Sequence, residues 1–70
     1  MSVRVSVNGS PQELPDHATV AMLVAALTDR PDGRGVAVAV AGEVVPRGAW
    51  GHTTLTDGAD VEVVHAVGGG

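Results

Sequence analysis

Only one stretch of this 70-residue sequence carries a helical period, and that limits the folds open to it. Val20, Leu23, Val24 and Leu27 fall at i, i+3, i+4 and i+7, one apolar stripe of a helix. Ala21, Ala25 and Ala26 fill the other positions with good helix formers, and Met22 is expected to flank the same face. Thr19 is placed as the N-cap, its hydroxyl accepting from a first-turn N–H. Pro31 disfavours helix at Arg30, so the helix is expected to end near Asp29.

Every other ordered stretch reads as strand. Val3, Val5 and Val7 alternate with Arg4 and Ser6, the period of a half-buried strand. Asn8-Gly9 is a strong two-residue hairpin signal, because both residues tolerate positive φ. Ser10 to Leu14 then returns as a second strand, which Pro11 and Pro15 place at a sheet edge or make short. Asp32 to Gly35 reads as a turn-rich loop. Val36, Val38 and Val40 alternate with Ala37, Ala39 and Ala41, as in an interior strand with its larger face under the helix. Gly42-Glu43 is expected to turn the chain into a very short strand, Val44-Val45, stopped by Pro46. Arg47 to Trp50 reads as a turn or short 3₁₀ piece with Trp50 over one end of the core, and residues 51–56 as irregular with Leu55 pointing inward. Asp57-Gly58 is a turn. Asp60 to Ala66 is the last strand, with Val61, Val63 and His65 on one face and Glu62, Val64 and Ala66 on the other.

The order ββαβββ implies an α+β fold, one helix crossing a mixed sheet of about five strands. A parallel pair needs a long crossover, and the helix supplies it between the first and last strands, which then lie side by side in the centre. That arrangement is the ubiquitin-like β-grasp. With no cysteine, no Phe or Tyr and Trp50 alone as an aromatic, the core must be built from Val, Leu, Ala and Met. At 44% apolar composition the chain can close one such core. The expected organisation is a single domain over residues 1–66, followed by Val67-Gly68-Gly69-Gly70 as a flexible tail.

Composition also removes several kinds of chemistry. Net charge is −4, and Arg4, Arg30, Arg34 and Arg47 are too few and too scattered to track a phosphate backbone, which excludes nucleic acid as the expected partner. Neither a spanning run nor a signal-peptide pattern is expected, so the reading is cytoplasmic, without membrane contact, and monomeric when free. No thiol is available as a nucleophile or persulfide carrier, and no lysine as an acyl acceptor. His17, His52 and His65 have no metal-ligand spacing. Asp57 and Asp60 could pair as carboxylates, but a turn and a strand start are their commoner uses. Gly33-Arg34-Gly35 lacks the Lys-Ser/Thr and the following helix of a phosphate loop.

The terminal glycines are the chemically distinctive remainder. Terminal glycines are more often a linker remnant than a site. Fully extended, however, Val67 to Gly70 reaches about 12–14 Å. Without Cβ atoms such a tail can thread a narrow channel, and the Gly70 carboxylate is unhindered.

Taken together, these features resemble a known family. Val7-Asn8-Gly9, Thr19-Val20 with Leu23 and Leu27, Val36-Ala37-Val38-Ala39-Val40, Gly42-Glu43-Val44-Val45-Pro46-Arg47 with Trp50, Asp57-Gly58, Val61 and the final glycines run in the order of the small ubiquitin-like sulfur carriers of thiamine biosynthesis, the ThiS-like proteins. The resemblance covers nearly the whole chain, with Gly68 as one glycine more than a strict Gly-Gly ending. It implies a carrier rather than an enzyme, with no catalytic residue, metal or bound cofactor of its own. The Gly70 carboxylate would be adenylated by a ubiquitin-activating-like adenylyltransferase using ATP with magnesium. Sulfur from a donor such as a cysteine desulfurase would convert it to a thiocarboxylate, and thiazole synthase would take that sulfur. Gly69, Gly68 and Val67 would thread the partners' active sites, while Val64 and Ala66 would lie on a docking face. Two alternatives remain open: the small subunit of molybdopterin synthase or another sulfur carrier, and a covalent protein modifier joined through Gly70.

Overall fold

In the computed structural model, residues 2–28 and 35–65 are described. Their elements follow the order β1 (Ser2–Val7), β2 (Ser10–Pro15), α1 (Val20–Leu27), β3 (Val36–Val40), β4 (Glu43–Val45), a 3₁₀ helix (Arg47–His52) and β5 (Asp60–His65). The strands form one sheet in the order β2-β1-β5-β3-β4. β1 and β5 pair in parallel through Ser6↔Asp60 and Val7↔Val61, and every other pairing is antiparallel.

Binary pattern decides which face is covered. Val3, Val5, Val7, Leu14, Val38, Val61 and Val63 point to one side and are buried together with Val20, Leu23 and Val24 of α1. Trp50 and Leu55 join this core, and the Trp50 indole N–H donates to the Val45 carbonyl at 2.9 Å. Such a bond is what allows a buried Trp to keep its polar edge satisfied. Among the described residues no polar or charged side chain is buried.

The start of α1 is tied down from two directions. The Thr19 hydroxyl accepts from the Met22 N–H at 3.3 Å, the expected cap. The Val20 N–H donates to the Thr53 carbonyl, and Leu55 N–H to the Ala18 carbonyl. Thr19 and Thr54 thus form an isolated antiparallel bridge. Of residues 51–56, read as irregular from their polarity, Gly51 and His52 instead continue the 3₁₀ helix, and the Thr53 carbonyl satisfies the Val20 N–H, one of the first-turn donors that a helix leaves open. The helix is also shorter than expected: Thr28 is already extended, at φ −140° and ψ 151°, and Asp29 lies outside the described residues. Met22 is 45% exposed rather than flanking the stripe. Two residues at about 100° each carry it far round the helix from Val20.

The hairpins show what a two-residue turn demands. Asn8 and Gly9 have φ of 52° and 84°, as a type I′ turn requires. The second hairpin turns on Ala41-Gly42, φ 52° and 83°, and Glu43 already belongs to β4, so the expected Gly42-Glu43 turn moves back by one residue. Register forces this, because Val40 pairs with Glu43 and leaves two residues between them. An alanine at positive φ costs about 1 kcal/mol, whereas Asn visits this region with local support. Ala41→Asn is expected to stabilise the chain by about 0.5–1 kcal/mol and to raise the melting temperature by about 4 °C, read by thermal circular dichroism.

The prolines of β2 have a directional role. Arg4, Ser6 and Asn8 turn their peptide groups toward β5: Ser6 N–H donates to Ala59, Asn8 N–H to Val61, and the Arg4 carbonyl accepts from Gly58. Val3, Val5 and Val7 therefore face β2, opposite Leu14, Gln12 and Ser10. Pro11, Glu13 and Pro15 are left facing the open edge, where the two prolines remove donors that a further strand would use.

Candidate functional site

The outward side of the sheet divides into two halves. On β1 and β2, Ser2, Arg4, Ser6 and Glu13 make a polar half, with the Ser2 hydroxyl donating to the Glu13 carboxylate at 2.8 Å. On β3, β4 and β5 the outward residues include Ala37, Ala39, Val44 and Val64, with the acidic Asp60 and Glu62 on the same face of β5. Ala37 lies opposite Val64, and Ala39 opposite both Val44 and Glu62. Val64 is 60% exposed and Val44 is 75% exposed. One apolar strip therefore runs Val44, Ala39, Ala37, Val64 across three strands, with Glu62 beside it. The segment after β4 leaves it open, since Trp50 and Leu55 fold onto the other side of the sheet. Val64 is thus exposed on the outward face, and Val44 is a more exposed member of the strip that periodicity did not single out.

Ala66, Val67, Gly68, Gly69 and Gly70 lie outside the described residues, and so do the expected tail and its reactive carboxylate. The described chain brings β5 up to His65, which pairs with Val36. His65 is exposed, as are His17 and His52. Among the described residues there is no group of three or more His, Asp or Glu side chains placed to hold a metal ion. No helix among them is long and apolar enough to cross a membrane. The Asp57 carboxylate accepts from the Arg4 N–H at 2.8 Å, and Gly58, at φ +86°, donates to the Arg4 carbonyl at 2.7 Å. Asp57 is a structural tie from the 57–58 turn to β1, across 53 residues of sequence.

A second long-range tie was invisible to turn chemistry. The Asn8 side chain donates through Nδ2 to the Val63 carbonyl at 3.0 Å and accepts at Oδ1 from the Val63 N–H at 2.9 Å. The residue that makes the first hairpin also holds the far end of the last strand.

The class defined by this architecture is a ubiquitin-like β-grasp domain with an open apolar strip beside its last strand. Comparison with known proteins narrows the class. Residues 5–70 match the model of the ThiS family. The chain is similar to the crystal structure of a thiamine biosynthesis protein (ThiS) from Geobacter metallireducens, with 37% identity and a TM-score of 0.74 over 97% of this chain and 100% of that one. It is similar to an NMR solution structure of a thiamine biosynthesis protein from the same organism, with 37% identity and a TM-score of 0.73 over 97% of this chain and 88% of that one. Comparison with curated proteins returned no match. The chain belongs to the ThiS family, the sulfur carriers of thiamine biosynthesis.

Proposed function

We propose that this chain carries sulfur as a thiocarboxylate on Gly70 and delivers it to thiazole synthase. The observation that carries the reading is the match of residues 5–70 to a sulfur-carrier family in a chain with no cysteine. A carrier without a thiol needs another atom to hold sulfur, and an unhindered terminal carboxylate is the group suited to it. A carboxylate is a poor electrophile because oxide would have to leave. Attack of the Gly70 carboxylate on the α-phosphorus of ATP releases pyrophosphate and leaves an acyl adenylate. A persulfide sulfur then displaces AMP, and a second thiol cleaves the S–S bond to leave the thiocarboxylate.

Labour is divided accordingly. A ubiquitin-activating-like adenylyltransferase binds the ATP and magnesium, a donor such as a cysteine desulfurase supplies the sulfur, and thiazole synthase accepts it. Catalysis belongs to these partners. Residues 1–66 form the recognised body, Val64 and Ala66 contribute to docking, and Val67, Gly68 and Gly69 thread the narrow approach to the partners' reacting centres. The apolar strip from Val44 to Val64 supports this reading, since it is a ready contact surface next to the strand from which the tail continues.

The test is thiol-directed alkylation of the purified chain after incubation with ATP, a cognate activating enzyme and a sulfide source. Intact mass and the C-terminal peptide locate the label. Because the sequence holds no cysteine, any thiol-reactive site is new. Alkylation also separates sulfur loading from oxidation of Met1 or Met22, which adds nearly the same mass as exchanging oxygen for sulfur. One label per chain at Gly70 is expected. An unlabelled chain in the presence of a competent activating enzyme would overturn the reading.

A further inference from the structure

Asn8 does more than close a hairpin. In a parallel ladder every second residue donates to one carbonyl of the neighbouring strand, and its own carbonyl accepts from the N–H two residues further along. The Asn8 N–H makes the first of these bonds, to the Val61 carbonyl at 2.9 Å. Its carbonyl would make the second, from the Val63 N–H, if β1 continued. It does not continue, because Asn8 enters the left-handed region and the chain turns away. The Asn8 carboxamide takes over. Oδ1 accepts from the Val63 N–H, and Nδ2 donates to the Val63 carbonyl. A side-chain amide has the donor and acceptor of a peptide unit, so it extends β1 by one peptide group that the backbone cannot supply.

The anchored residue is close to the end of β5. Val64, with its exposed side chain, and His65 are the last described residues of that strand, and residues 66–70 continue from them. On the β3 side they are paired with Ala37 and Val36. On the β1 side the Asn8 carboxamide holds Val63, two residues before the strand ends.

We propose that Asn8 is a positioning residue for the carrier reaction, holding the end of β5 so that Val64 and the chain leading to Gly70 are presented together to the activating partner. The inference rests on the reading of Gly70 as the reactive end. Without the clamp the strand end opens part of the time, and only the closed fraction binds. The apparent affinity then falls by that fraction, while the bound complex reacts as before. The signature is a raised KM with kcat unchanged.

Asn8→Gly keeps the turn, because glycine accepts positive φ freely, and removes both side-chain bonds. Val3→Ala serves as a control, since it weakens the core at β1 and β2 away from the end of β5. ATP–pyrophosphate exchange by the cognate activating enzyme is measured against full-length carrier, at a temperature where circular dichroism shows each chain folded. Asn8→Gly is expected to raise KM about fivefold with kcat unchanged. Amide exchange at Val63 should quicken about tenfold relative to Val38. Val3→Ala should match the unaltered carrier in both kinetic constants. If Asn8→Gly shows the KM of the control, the inference is overturned while the carrier reading stands. If the unaltered chain supports neither exchange nor alkylation, the carrier reading falls and takes this inference with it.

Discussion

Removal of Gly69 and Gly70 is expected to abolish sulfur loading, taking the thiol-alkylation signal from one label per chain to background. The shortened chain would end on Gly68, with a carboxylate still present but two residues short. At ~3.3–3.6 Å per extended residue, that places it about 7 Å from the position where the intact tail brings it. Reaction requires the attacking oxygen and the phosphorus to approach within about 3–3.5 Å, so a 7 Å deficit leaves no productive geometry. The fold should be indifferent. The core is made by residues from Val3 to Val63, and a terminal glycine has no side chain to lose from it. Changes away from core, caps and buried networks usually stay within about 0.5 kcal/mol, so thermal unfolding should be almost unchanged. The two readouts therefore separate. Loss of label with an intact melting curve places the chemistry at the last residues. A truncated carrier that is still alkylated would show that sulfur is held elsewhere, and the thiocarboxylate reading would fail.

The parts of this fold that the sequence discloses are those governed by local period. The valines of β1, β3 and β5 alternate because one face is buried, and the single stripe of α1 could cover that face in few ways. Edge placement of β2 was one of two readings of Pro11 and Pro15, and the sheet order selects it, since a missing N–H is tolerated where no further strand pairs. The misplacements share a cause. Ala41 shows no turn propensity of its own, and its positive φ is imposed by the pairing of Val40 with Glu43. Met22 is apolar, but an apolar residue on an eight-residue helix need not lie on its buried stripe. The apolar strip was half legible. Val64 stands out in its strand, but its continuity with Val44 exists only once β3 lies between them. Asn8 and Asp57 were legible as turn residues and illegible as long-range ties, because what each side chain holds lies more than 50 residues away. Turn chemistry explains why such residues are tolerated at those positions. It does not say which backbone group the side chain will reach.

The largest loss of stability from one substitution is expected at Leu23. Its side chain is fully buried, at 0% exposure, on the face of α1 that covers the sheet. Shortening it to alanine removes apolar contacts and leaves a cavity that the strands cannot close, since β1 and β5 are locked by parallel pairing and by the Asn8 and Asp57 ties. Leu→Ala changes at such sites cost about 3–5 kcal/mol. A domain of this size has about 3.5–10 kcal/mol in total, at roughly 0.05–0.15 kcal/mol per residue. No disulfide supports it, since the sequence contains no cysteine. Alanine is the better helix former, but that gain is well under 1 kcal/mol and does not offset the cavity. Leu23→Ala should therefore leave a large fraction of the chain unfolded at 37 °C. Trp50 reports this directly, as the sole aromatic residue and one that is 5% exposed in the native core. Urea titration followed by its fluorescence should show the midpoint moving down by at least about 1.5 M, taking ~1–2 kcal/mol/M for the slope of so small a domain. An unchanged midpoint would mean that the helix does not close the core by this side chain. The presentation of β5 to partners would then depend on the sheet alone.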